Sequence, residues 1–345
     1  MLWTDLMDPV EATGIARDEQ YVIEQEKGGT LARFLPNVFV PSDHVAFYPD
    51  SNGLVDAAYY RAFNARPELG KGQGLSRKTI DLPSIARTEP IDEMTQKELA
   101  RLSDDRIRKS IEAAIRRNVQ AISMRQELTR GIALEQGKVL VDQDNFLIAD
   151  DFGRNTALNI QAASYWATGS VDRVSAVKSW CDIYATYNNG AQPGRIVMTD
   201  TSWAAYASGD QFATLLANGA TRPALKAEIM ALTESAGLPS IELYNRSVSV
   251  DGTATKILGV KKIYLLPEPV DPMSEEGSVL GATYWGQTVS SGFESWGIEP
   301  DEQPGIVCGV FKEESVGSSI EVQGDSIGEP VLANPNAVMV IQVLA

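Results

Sequence analysis

The chain has 345 residues, enough for two or three compact units, and its hydrophobic fraction of 43% excludes wholesale disorder. Thirty Lys and Arg against 46 Asp and Glu give a formal charge of -16, the reverse of the balance found in proteins that grip phosphates. Such a surface repels nucleic acid and suits a container wall as well as many acidic cytosolic enzymes.

Residues 1 to 40 read as an acidic arm with a short helix around Asp18 to Glu26, of the kind that needs something else to pack on. From Pro41 to about Pro90 no helical period appears. Asn52-Gly53 signals a turn, and Pro67, Gly70, Gly72 and Gly74 crowd together before Thr79-Ile80-Asp81-Leu82. This predicts two strand-like limbs joined by a glycine-rich tip, an excursion long enough to have a job of its own.

The clearest element follows. Ser103 is a suitable N-cap, and Ile107, Ile111, Ile115, Val119 and Ile122 recur every three or four residues as one apolar stripe. The pattern runs more loosely through Leu128 and Ile132 to Gly137, a C-terminal stop. A helix over residues 104–136 would be roughly 50 Å long at about 1.5 Å per residue. Arg106, Arg108, Lys109, Arg116 and Arg117 on its other faces are expected to be solvated.

A hairpin is predicted next, Lys138 to Val141 and Phe146 to Ala149 around a turn at 142–145. Beyond Gly169 helices and strands alternate. Ser170 is expected to cap a helix bearing Val174, Val177, Cys181 and Tyr184. A strand at Arg195 to Met198, a brief helix with Trp203 and Tyr206, and a helix from Ala224 to Ala236 follow. Strands at Ile241 to Tyr244, Ser247 to Val250 and Ile263 to Leu266 complete one α/β unit, with Asp251-Gly252 as a hairpin turn. Ala337 to Leu344 is almost continuously apolar and predicts a strand covered on both faces.

Chemistry is hard to find. His44 is the sole histidine, and its setting in Pro41-Ser42-Asp43-His44 offers no nucleophile motif. Gly70-Lys71-Gly72-Gln73-Gly74 lacks the spacing of a phosphate cradle. The paired acids Asp150-Asp151 and Glu313-Glu314 read as surface carboxylates, since neighbours on a strand point to opposite faces. Cys181 and Cys308 are too few for a disulfide framework or a four-cysteine zinc site, and both read as core. No catalytic, cofactor-binding or metal-binding residue is expected. Residues Met1-Leu2-Trp3-Thr4-Asp5-Leu6 carry acid where a signal peptide needs a basic segment, and no apolar run nears the ~20 residues of a membrane span. A soluble protein made in the cytoplasm is expected.

The order acidic arm, glycine-tipped loop, very long helix, hairpin, α/β unit and returning strand resembles the α+β Hong Kong 97 capsid fold. Residue-level likeness sharpens this. The segments Met1 to Leu6 and Thr30-Leu31-Ala32-Arg33-Phe34-Leu35-Pro36-Asn37 look like major capsid proteins of tailed bacteriophages, notably those infecting actinobacteria. Tyr60-Arg61-Ala62-Phe63-Asn64-Ala65-Arg66-Pro67-Glu68-Leu69-Gly70 resembles the E-loop of that group, and Leu332 to Ala345 is similar to the close of the phage lambda head protein. The resemblance implies an N-arm over 1–40 and an E-loop over 41–90. A P-domain with its spine helix over 91–165, an A-domain over 166–328, and a terminal strand over 329–345 returning to the P-domain complete the division.

It also implies a structural subunit, not an enzyme, that self-assembles into the hexamers and pentamers of an icosahedral virion shell around DNA, without sequence-specific binding and without a membrane. The expected partners are a portal protein, a scaffold and a decoration protein. The alternatives are an encapsulin-like nanocompartment shell protein, which shares the fold, and an acidic hydrolase using the carboxylate pairs.

Overall fold

A computed structural model of the chain describes residues 2–25, 30–47, 77–100, 104–143, 146–212, 224–312 and 319–345. The predicted loop tip around residues 60–74, Ser103, Asp144, Asn145 and Glu313-Glu314 lie outside the described residues.

The spine helix runs from Asp104 to Gln136, as its apolar period requires. Ile111, Ile115 and Val119 are fully buried and Ile122 is 1% exposed, so the stripe is core. Gly137 ends the helix at φ 72°, its N–H donating to the Ala133 carbonyl at 2.8 Å, a geometry that glycine adopts without strain. Arg154 donates to the carbonyls of Ala133 and Glu135 in that last turn, where the helix dipole favours a cation.

The stripe lies on a five-stranded sheet whose longest strand is Ile320–Leu332. That strand pairs antiparallel with Ser84–Ile91, Gly281–Gly286 and Val307–Lys312, while Asn37–Phe39 joins parallel to Gly281–Gly286. Helix and strand approach closely at Gly324, where a Cβ would lie 3.2 Å from that of Asn118. Asn118 and Gln126 then bond the strand's own carbonyls at Val322 and Gly328, at 2.9 and 2.6 Å.

A second five-stranded sheet holds Asn159–Gln161, Met339–Gln342, Lys262–Leu266, Arg195–Met198 and Ser240–Leu243 in that spatial order. Helices Arg173–Tyr187, Asp200–Ala207 and Lys226–Ser235 accompany it. The cap of the first is Asp172, whose carboxylate accepts from the Ser175 N–H at 3.1 Å; Ser170 lies two residues too early.

The terminal strand corrects one expectation. The partner expected in the P-domain is the hairpin of Lys138–Gln143 and Phe146–Asp151; Met339–Gln342 instead pairs antiparallel with Lys262–Leu266 and parallel with Asn159–Gln161, inside the α/β sheet. Met339 and Ile341 enter the α/β core, whereas Val338 and Val340 enter the central core with Leu134 and Tyr264. Continuous apolarity reflects two cores meeting at one strand. The unit boundary moves too: Gly281–Gly286, Val307–Lys312 and Ile320–Leu332 belong to the spine's sheet, so the α/β unit does not run on to residue 328.

The arm corrects another. Its helix spans Pro9–Gln25, longer than Asp18 to Glu26, and packs on its own spine helix and on Val307–Lys312. Ala12 and Ala16 are fully buried there and Ile23 nearly so. The hairpin is also longer than predicted: Gln143 pairs with Phe146, so Asp142 and Gln143 belong to the strand.

Candidate functional site

For a protein without a catalytic constellation, function rests on how its elements are locked together and which surfaces they present. The strongest lock is a polar cluster inside the molecule. Arg130 of the spine helix, 1% exposed, meets Glu24 of the arm helix at 3.1 Å and Glu127 one turn back at 3.2 Å. Its remaining N–H groups donate to Asn37 Oδ1 at 2.6 Å and Thr283 Oγ1 at 2.8 Å. Asn37 donates to Glu24 and accepts from Trp285 Nε1. Glu127 accepts from the Tyr244 hydroxyl, the Leu31 N–H and, at 3.5 Å, pairs with Arg246.

Arm, spine, both sheets and the Ser240–Leu243 end of the α/β unit therefore meet at one charge. Burial works against the Arg130 guanidinium, but Glu24 and Glu127 outweigh it and hold it charged above its ordinary range. Burial raises the Glu24 carboxyl, opposed by Arg130. A second joint stands at the far end of the spine: Glu135 accepts from Lys262 Nζ at 2.6 Å, Tyr264 Oη at 2.9 Å and the Gly259 N–H at 3.0 Å.

Neither joint was found in the sequence. A signal exists, because Gln126 and Arg130 continue the stripe of Ile115, Val119 and Ile122 and so place polar side chains on a buried face. Of the spine's cations, Arg106 and Lys109 are exposed. Arg108 pairs with Glu11 of the arm helix, Arg116 with Glu19 at 3.4 Å, and Arg117 with Glu89 at 3.5 Å. Arg116 and Arg117 are exposed as expected, yet two of the five cations, Arg108 and Arg116, also reach the arm helix, while Arg117 reaches the Ser84–Ile91 strand.

The residues weighed for chemistry remain apart. His44 is exposed, its ring against Asp43 at 2.9 Å. Asp150 and Asp151 are neighbours on one hairpin strand, opposite Val139 and Lys138, and build no shared site. Burial pushes the Cys181 thiol up to about 11 and that of Cys308 up to about 12. Among the described residues no group of three or more His, Cys, Asp or Glu could hold a metal ion. No described helix is long and apolar enough to cross a membrane.

A spine helix laid across a long-stranded sheet, an arm folded back on it and an attached α/β unit are the parts of a capsid fold of the Hong Kong 97 type. The chain belongs to the phage major capsid protein E family, whose model matches residues 31–275. It is similar in fold to a prophage protein of E. coli CFT073 described as a capsid protein, with a TM-score of 0.66 and 14% identity over 98% of this chain and 99% of that one. A phage-related protein of Bordetella bronchiseptica matches with a TM-score of 0.56 and 14% identity, over 96% and 95%. The capsid of cyanophage P-SCSP1u matches with 0.50 and 11%, over 91% and 88%. No curated protein matches the sequence. The chain is a structural subunit of a phage shell, a homo-oligomer and part of the virion.

Proposed function

We propose that this subunit forms hexamers and pentamers that close into an icosahedral shell around double-stranded DNA, assembled in the host cytoplasm with portal, scaffold and decoration proteins as partners. The observation that carries this reading is the ribbon of His44–Phe47 with Lys78–Asp81. It brings both ends of residues 48–77 together at one place on the subunit, as a limb reaching a neighbour requires. Because the arm helix is satisfied within its own subunit, the bridging role falls to that loop. The charge of -16 supports a wall that does not hold the genome by contact. Heterologous contacts of this sort close into rings. The reading assigns the chain no catalytic role.

Electron microscopy and sedimentation of the full chain co-expressed with its scaffold and portal test the reading. Closed particles built of six- and five-fold capsomers are expected. A protein that stays monomeric at high concentration under those conditions would overturn it.

A further inference from the structure

Glu329 lies in the long central strand and is fully buried. Neither of its carboxylate oxygens has a hydrogen-bond partner among the described residues. An ionised carboxylate in that setting is costly, so the neutral acid is favoured.

The position of this group gives it meaning. Its neighbour Gly328 faces the spine, since a Cβ there would lie 3.3 Å from Gln126 Nε2. Successive strand residues alternate, so Glu329 points to the other side of the sheet. The flanks of the ribbon reach that side. A Cβ at Gly286 would touch Ile327, Leu82 and the Ser42 carbonyl, which places Ile327, on Glu329's face, under the ribbon's flank. Phe47 and Ile80 of the ribbon and Val141 and Ile148 of the hairpin belong to the same apolar core as Val331, on Glu329's face, and Tyr284, its partner across the sheet.

The charges facing Glu329 do not neutralise it. Asp150 of the hairpin acts on it as a like charge, and Asp81 of the ribbon acts likewise on Asp150. Lys78 of the ribbon faces Asp150, but its ammonium donates to the Asp151 carbonyl at 2.8 Å. His44, opposite Asp81 in the ribbon, is exposed. Tyr284, opposite Glu329, is pushed up by burial and stays neutral near pH 7.

We propose that Glu329 is a proton-gated latch: ribbon and hairpin are seated on the sheet while this carboxyl carries its proton, and ionisation favours their lifting away. Burial first, and Asp150 second, push the carboxyl from its ordinary 4.5 up to about 8. The seated state therefore holds its proton more tightly than the lifted state. Its advantage is complete below about pH 4.5, falls as pH rises, and is spent once pH passes about 8. Across the neutral range each lifting event releases one proton.

Hydrogen exchange of the ribbon amides in the full chain tests this, after correction for intrinsic exchange rates. Protection should fall about tenfold per pH unit from about pH 5.5 to 7.5 and level off above about pH 8. Glu329→Gln, which keeps shape and removes the proton, should abolish the slope. Asp150→Asn should bring the levelling to lower pH, because the like charge is gone. As a check independent of any variant's folding, the protonated-carboxyl infrared band of the wild-type protein should persist at neutral pH and vanish near pH 8. Equal slopes in wild type and Glu329→Gln, or a band already lost by about pH 6, would overturn the proposal.

Discussion

Arg130 of the spine helix holds Glu24 of the arm helix at 3.1 Å, in a place both side chains share with almost no water. The pair converts an arm with few core residues of its own into part of the subunit. Breaking such a buried pair by removing one partner leaves the other charge stranded, at about 3–5 kcal/mol. Arg130→Met should therefore lose about that much in urea unfolding and expose residues 9–25 to protease. A variant within about 0.5 kcal/mol of wild type would show that the cluster does not anchor the arm.

The spine stripe makes a harsher prediction. Ile115 is fully buried between the arm helix and the central sheet. Ile115→Asp would bury an unpaired charge, a loss on the order of the ~5–15 kcal/mol that stabilises a whole domain. Insoluble or degraded protein is expected, and soluble assembly at normal yield would contradict the packing.

Truncation after Asn336 removes Val338, Met339, Val340, Ile341 and Val343, all fully buried. Each contributes roughly 1.5–3 kcal/mol, and the loss also opens Lys262–Leu266 and Asn159–Gln161 to solvent. Circular dichroism should show no cooperative melt. Excising residues 68–75, in contrast, should leave a folded subunit that fails to assemble, because the glycine-rich segment is proposed to serve contacts between subunits and not the subunit's own core. Normal shells from the excised variant would remove the loop from assembly.

Both thiols should be chemically silent in the native protein. With burial holding Cys181 up at about 11 and Cys308 at about 12, thiolate is scarce at pH 8, and access is blocked as well. A disulfide reagent should titrate no sulfur until denaturant is added, then both. Rapid labelling of either in folded protein would show that its core opens.

Periodic apolar segments were legible one by one. The stripe through Ile111, Ile115, Val119 and Ile122 gave the spine its limits because a helix has one inward face and Gly137 stops it. The hairpin, the strand at Arg195–Met198 and the Asp251-Gly252 turn followed from equally local rules. What local rules cannot rank is which partner a buried strand takes. Met339–Gln342 offered two apolar faces, and its sequence is compatible with any sheet able to cover both.

The sequence by itself determined the acidic charge, the spine helix, the hairpin, several elements of the α/β unit and the lack of a motif for catalysis, but not the strands Gly281–Gly286 and Ile320–Leu332 on which the spine lies. These depend on composition and on spacings of a few residues. Only the tertiary structure decided that the arm helix folds back on its own spine, that Arg130 joins Glu24 across 106 positions of chain, and that Glu329 is buried with no hydrogen-bond partner among the described residues. The reason is physical. Pairing and desolvation belong to positions in space, and a carboxyl whose partners are far away in the chain reads in sequence as one more surface acid among 46.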